Sequence, residues 1–145
     1  MATSKPFVSS SFTYETLEET LDIKPKGAEL LIGIPKENSF NENRIALTPE
    51  AVGVMVANGH RVVMETKAGD GASYNDKDYS DAGAKIAYDK KEVFECDILV
   101  KSAPVSEEDC ELLKPNQYII SPIHLAVMKR EILQKMMDKK ITALS

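Results

Sequence analysis

The sequence predicts an α/β domain built on a mainly parallel sheet, in three layers, with helices on both faces. Three observations predict it. Short apolar runs alternate with helical stretches six times between Glu29 and Ser145. Several helical stretches open on a capping residue or close on glycine. The clearest strands are apolar at most positions instead of alternating, as strands buried on both faces are. Alternation of this kind returns each strand to one sheet through a crossover, so neighbouring strands run parallel.

The elements follow in order. "ELLIGIP", Glu29 to Pro35, is a strand closed by proline. Thr48 to Gly59 reads as a helix, with Thr48 at the N-cap, Pro49 in the first turn and Gly59 past the end. His60 to Thr66 is the second strand, with His60 a structural residue at its start. Asn75 to Gly83 is a short helix stopped by Gly83. "AKIAY" is a weak third strand, and "KKEVFE" makes one or two helical turns. Asp97 to Lys101 is a strongly apolar fourth strand. Ser106 to Leu113 is a helix whose serine cap and early acidic residues suit the helix dipole. "QYIIS" is the fifth strand, "VMKREILQKMMDKK" an amphipathic helix and "ITALS" the sixth strand. Residues 1–27, rich in Ser, Thr and Glu, read as an N-terminal extension in which Phe12, Leu17 and Leu21 suit a short helix. Residues 28–145 read as one domain.

Composition narrows the function. A chain of 145 residues with 43% apolar and 28% charged residues is of the soluble globular class. A net charge of −5 without a basic cluster argues against nucleic acid. No apolar run reaches bilayer length, and the N-terminus lacks the layout of a signal peptide. Cys96 and Cys110 lack zinc-site spacing and read as packed, reduced thiols. A cytoplasmic protein is expected, and no metal site.

In an open parallel sheet, ligands bind outside the carboxyl ends of the strands. Arg44 lies in the long polar connection after the first strand, Lys101 ends the fourth, and His124 follows the fifth. Two positive charges and an imidazole on one rim suit a small acid. Arginine grips a carboxylate with two parallel hydrogen bonds, lysine adds a point charge, and imidazole exchanges a proton nearby. Each has a plainer alternative: Arg44 as a loop brace, Lys101 as a solvent-facing strand end, His124 as a helix cap. Gly69-Asp70-Gly71 begins like a dinucleotide fingerprint but has no third glycine, and reads as a turn.

The stretches "IGIPKENSFNENRIALTPEAV", "GHRVVMETKAGDGASYNDKDYSDAGAKI", "DILVK" and "HLA" resemble the N-terminal part of alanine dehydrogenases and the related NAD(P) transhydrogenase subunits. The resemblance runs from about Leu30 to the end. Gly33 to Glu37, followed by Arg44 and Thr48-Pro49 at the family spacing, is its most specific part. It implies the first portion of a Rossmann-like substrate domain, and a second domain that binds NAD. The chain ends before any such insert and holds no full G-x-G-x-x-G, so it is expected to be an N-terminal fragment, inactive alone. The resemblance implies reversible oxidative deamination of L-alanine to pyruvate and ammonia, and a homo-oligomer in the full-length protein. By analogy Arg44 and Lys101 bind the substrate carboxylate and His124 is the catalytic proton carrier. His124 favours the alanine dehydrogenase branch, because the transhydrogenase subunits usually lack that histidine. Two departures touch the pocket: "KSAP" offers one lysine where the family has two, and Pro122 stands where an aromatic residue is usual. A transhydrogenase subunit, a saccharopine-type amino-acid dehydrogenase and a stand-alone small-acid binding module remain as alternatives.

Overall fold

The computed structural model describes residues 28–38 and 42–145. The N-terminal extension, with its expected helix, lies outside the described residues. Six strands alternate with five helices: β1 Leu31–Ile34, α1 Pro49–Ala57, β2 Arg61–Glu65, α2 Asp76–Asp81, β3 Lys85–Ala87, α3 Lys90–Phe94, β4 Ile98–Val100, α4 Glu107–Leu112, β5 Tyr118–Ile120, α5 Arg130–Asp138 and β6 Thr142–Leu144. The sheet order is β3-β2-β1-β4-β5-β6. Every neighbouring pair is parallel, with Ile32 beside Val62 on one side and beside Ile98 on the other.

Each strand sends alternate side chains to opposite faces. Ile32, Ile34, Val62 and Met64 pack with Val52 of α1 and Tyr79 of α2. Val63, Leu99 and Ile119 pack with Phe94 of α3, Cys110 of α4, and Ile132 and Met136 of α5. These clusters fill the space between the sheet and the helices on each of its faces, which makes a three-layer domain. Gly33 lets α3 approach β1, since a Cβ there would lie 2.5 Å from the Val93 carbonyl oxygen and 2.8 Å from Leu99 Cδ2.

Local chemistry sets the helix starts. The Thr48 hydroxyl accepts from Ala51 N–H, with Pro49 in the first turn. Asn75 with Asp78, and Ser106 with Asp109, form reciprocal capping boxes. Helix α5 begins at Arg130, three residues later than the expected Val127. The carbonyl of His124 takes the N–H groups of Val127 and Met128 and closes a turn there instead. The expected turn at Gly69-Asp70-Gly71 is present and takes the form of a 3₁₀ turn over Asp70–Ala72. No helix among the described residues is long and apolar enough to cross a membrane.

Strands β1 and β4 are neighbours, yet the chain leaves them toward opposite edges of the sheet. That divergence opens a crevice at their carboxyl ends, the usual ligand position in such sheets.

Candidate functional site

Pro35 ends β1 and the backbone turns over the sheet edge, where Lys36 N–H donates to Glu65 Oε2 at 2.8 Å. Glu37 then points into the crevice. Its Oε1 accepts from the backbone N–H groups of Ser102, at 2.6 Å, and Ala103, at 3.1 Å. Its Oε2 accepts from the Lys101 ammonium at 2.9 Å. Lys101 Nζ also lies 3.1 Å from Asp109 Oδ2, and Lys90 Nζ lies 2.7 Å from Asp109 Oδ1. Apart from this Lys90 contact, Oδ1 has no hydrogen-bond donor. The result is an interior chain of alternating charge: Lys90, Asp109, Lys101, Glu37. Burial pushes the Asp109 carboxyl up, but the Lys101 charge, the Lys90 contact and the Ser106 N–H outweigh it and hold it below its ordinary value.

Lys101 therefore stands at the predicted end of β4, but its ammonium is turned inward and is 4% exposed. The plainer alternative, a solvent-facing strand-end lysine, does not occur, and the ammonium expected on the rim is held inside by Glu37 and Asp109. Lys101 lines a cavity of about 460 Å³ with Asn38, Ser106, Asp109 and Lys129.

Arg44 occupies the second arm of the crevice, in the connection between β1 and α1. Two contacts set its loop. Gly71 packs against Asn43, where a Cβ would lie 2.9 Å from Asn43 Cα. The Tyr79 hydroxyl donates to the Leu47 carbonyl at 2.8 Å. Arg44 is exposed and grips Glu42 with both arms of its fork, Nε to Oε1 at 2.8 Å and Nη2 to Oε2 at 2.6 Å. Its backbone N–H also reaches Oε1, at 3.0 Å. These bonds from the Arg44 side chain and backbone bring the Glu42 carboxyl down to about 2, and the guanidinium rises in turn. Arg44 and Glu37 line one cavity of about 210 Å³, together with Lys36, Glu42, Lys67 and Asp70.

His124 is exposed just past β5, and its backbone is left-handed, with φ of 46°. The carboxyl end of β5 is fixed beside β4 by the buried Ser121 hydroxyl, which donates to the Ala103 carbonyl at 2.9 Å. His124 lines a cavity of about 230 Å³ with Pro104, Val105, Met128 and Lys129. Pro104, Lys129 and Ile132 are shared with the cavity of Lys101.

The candidates thus follow the carboxyl ends of β1, β4 and β5 but face three neighbouring cavities. No hydrogen bond or ion pair joins any two of them among the described residues. Glu37 links two of these cavities: it lines that of Arg44 and bonds Lys101. Glu37, Glu42 and Asp109 escaped the sequence reading. Glu42 and Asp109 lie close in sequence to Arg44 and Lys101, whereas pairing Glu37 with Lys101, 64 residues away, required the strand order. His60 has the expected structural place, with Nδ1 accepting from Leu30 N–H at 3.4 Å. Cys96 and Cys110 are buried free thiols, and burial pushes Cys96 up to about 11. No cluster of potential metal ligands occurs among the described residues.

The turn after β1 is Pro35-Lys36-Glu37, without a phosphate cradle of glycines. The amides of Ser102 and Ala103, which could meet an anion, are already taken by Glu37.

Comparison with known proteins agrees with this fold. The family model described as "Alanine dehydrogenase/PNT, N-terminal domain" matches residues 33–145. Alanine dehydrogenase of Bacillus subtilis (strain 168) is 37% identical over 116 residues, covering 80% of this chain and 30% of its own length. Alanine dehydrogenase of Methanococcus maripaludis is 38% identical over 117 residues, covering 80% and 31%. A solved L-alanine dehydrogenase superposes with a TM-score of 0.77 at 34% identity, over 80% of this chain and 32% of that one. The transhydrogenase from Sinorhizobium meliloti shares the fold, with a TM-score of 0.70 at 24% identity, over 79% and 34%. The chain therefore spans about 30% of the length of the curated relatives it matches.

Proposed function

This chain belongs to the alanine dehydrogenase/PNT N-terminal domain family, and we propose that it supplies the acid-binding side of an NAD-dependent alanine dehydrogenase. The reaction is the reversible oxidative deamination of L-alanine to pyruvate and ammonia. One observation supports this reading above the others: the exposed Arg44 fork, at the carboxyl edge of the sheet, holds a carboxylate through two parallel bonds. A substrate carboxylate would meet the same donors.

Lys101 supplies a second positive charge from the adjoining cavity. Glu37 and Asp109 face two of its three donors, which leaves one for the acid. His124, exposed past β5, carries the proton to and from the group beside the carboxylate. Holding the carboxylate orients the second carbon of the substrate, and such pre-positioning is a large part of rate gain. NAD accepts or returns hydride in this chemistry and would be bound outside the residues described. These 145 residues alone are expected to be inactive. The working protein is cytoplasmic and a homo-oligomer in this reading.

The test is NADH oxidation by the full-length protein with pyruvate and ammonium. Activity that requires both substrates and collapses in His124→Ala is the expected result. A folded, NADH-binding protein that leaves pyruvate and ammonium untouched overturns the alanine assignment.

A further inference from the structure

We infer that Lys36 and Lys67 hold a second anionic group beside the carboxylate on Arg44, so that the site binds a dicarboxylic 2-oxo or 2-amino acid more tightly than a monocarboxylic one; the inference rests on Arg44 being the carboxylate grip. Glu42 occupies the Nε–Nη2 edge of the guanidinium. The Nη1–Nη2 edge has no partner among the described residues, and the side chain is 77% exposed. A carboxylate can meet the guanidinium there with Glu42 in place. Lys36 and Lys67 line the same cavity of about 210 Å³, and neither has an ion pair among the described residues. Of the acids in that lining, Glu42 is held by Arg44, and Glu37 by Lys101 and two amides. Asp70 is left as a single carboxylate against two ammonium groups. The cavity thus keeps an excess of positive charge.

Lys67 also stands where the backbone disfavours it. The Ala68 N–H donates to the Glu65 carbonyl at 3.2 Å and closes a β-turn. Lys67 is the third residue of that turn, with φ of 59°. Glycine or asparagine suits this position, because a Cβ crowds a left-handed backbone. Asp76 holds the turn: Oδ1 accepts from the Lys67 N–H at 2.8 Å, and Oδ2 from the Thr66 hydroxyl at 2.6 Å. Neither bond uses the lysine side chain, so the turn gains nothing from lysine. A local rule broken without gain to the fold points to function. What lysine adds is an exposed ammonium on a long stem, at the cavity of Arg44. Lys36 leaves from adjoining backbone, because its N–H is bonded to Glu65, the residue that opens the turn. A dicarboxylate bridges Arg44 and these ammonium groups, whereas a monocarboxylate leaves them to water.

The experiment titrates the chain with 2-oxopentanoate and 2-oxoglutarate, followed by amide chemical shifts, in wild type, Lys36→Gln/Lys67→Gln and Arg44→Ala. The two acids have carbon chains of equal length and differ in the second carboxylate. In wild type 2-oxoglutarate is expected to bind roughly three- to tenfold tighter, the scale of one or two exposed ion pairs. That gap should narrow in high salt. The double lysine variant keeps the stems and the turn but loses the charges, and should bring the two acids level. Arg44→Ala should lose both. Matched spectra without ligand establish that all three proteins fold alike. Equal affinity for the two acids in wild type, with both lost in Arg44→Ala, overturns the second anionic site and leaves the Arg44 grip standing. A preference that survives the double lysine variant removes Lys36 and Lys67 from binding. Binding of 2-oxopentanoate that survives Arg44→Ala overturns the grip itself. No saturable shift with either acid in wild type overturns both.

Discussion

Glu37 and Lys101 join the ends of β1 and β4 by a 2.9 Å bond, with side chains only 5% and 4% exposed. They are 64 residues apart in sequence. The connections after the two strands part here toward opposite edges of the sheet, and the pair lies at the bottom of the crevice between them. Without Glu37, Lys101 keeps only Asp109 as a partner, and the amides of Ser102 and Ala103 lose their acceptor. Glu37→Ala is expected to destabilise the domain by about 1–3 kcal/mol, the scale for buried donors left without a partner. Urea denaturation of the two proteins measures this, and a loss below about 1 kcal/mol would show that water reaches Lys101 readily.

The pH response of the fold is expected to follow Asp109. Its carboxyl lies below the ordinary aspartate value of 3.8 in the folded chain, because Lys101 and Lys90 overcome the cost of burial. A depressed folded value means the unfolded chain takes up the proton first. This contribution is therefore complete above about pH 4 and is lost as pH falls through the lower folded value. Urea midpoints at pH 7, 5 and 3 should be level between the first two and fall at the third. Asp109→Asn should be less stable at pH 7 and show a smaller fall. An unchanged slope in that variant would assign the acid response to other carboxylates.

Much of the frame was legible because its signals are local. Thr48 before Pro49, Ser106 before Asp109, and glycine after α1 and α2 each mark a helix end by short-range chemistry. The apolar runs named the strands, and their alternation with helices implied the parallel sheet that the structure shows. Pairing across the sheet was not legible. The bond between Glu37 and Lys101 exists only because β1 lies beside β4, and no local pattern states that order. Lys101 therefore read as a free rim charge when it is an interior one. The engagement of Arg44 by Glu42 was open to a reading two residues apart. It was passed over because nearby opposite charges are common and only geometry distinguishes a filled fork. The late start of α5 has a similar origin, since the turn that borrows the His124 carbonyl leaves no mark in composition.

Gly71 should prove necessary to the Arg44 loop. A methyl group there would lie 2.9 Å from Asn43 Cα and 3.0 Å from the Asn43 carbonyl oxygen, so the loop must shift outward. Gly71→Ala is expected to cost about 1–3 kcal/mol, as overpacking does. It should also weaken pyruvate binding by more than its effect on stability explains. The pair of measurements is a urea curve and a pyruvate titration. Normal binding with reduced stability would place the contact outside the business of Arg44.

The buried thiols should be unreactive while the chain is folded. Burial pushes Cys96 up to about 11 and raises Cys110 as well, so neither holds much thiolate near neutrality. Labelling with a thiol-selective disulfide reagent at pH 8 is expected to be slow in buffer and fast in denaturant. Rapid labelling of either cysteine in buffer would reveal an opening of the α4–α5 side of the sheet.

Arg44 and His124 should fail in different ways if one binds and the other moves a proton. An interaction made equally with substrate and transition state changes KM, whereas one made only in the transition state changes kcat. In the full-length protein, Arg44→Ala is expected to raise the KM for pyruvate with a smaller effect on kcat. His124→Ala is expected to lower kcat by about 10²-fold or more, the usual scale of general acid–base catalysis. Steady-state rates across pyruvate concentration at fixed NADH and ammonium separate the two. A His124→Ala protein within about threefold of wild-type kcat would remove this histidine from proton transfer. The left-handed turn at His124 would then be explained by the backbone alone, since its carbonyl closes the turn before α5 whatever the side chain does.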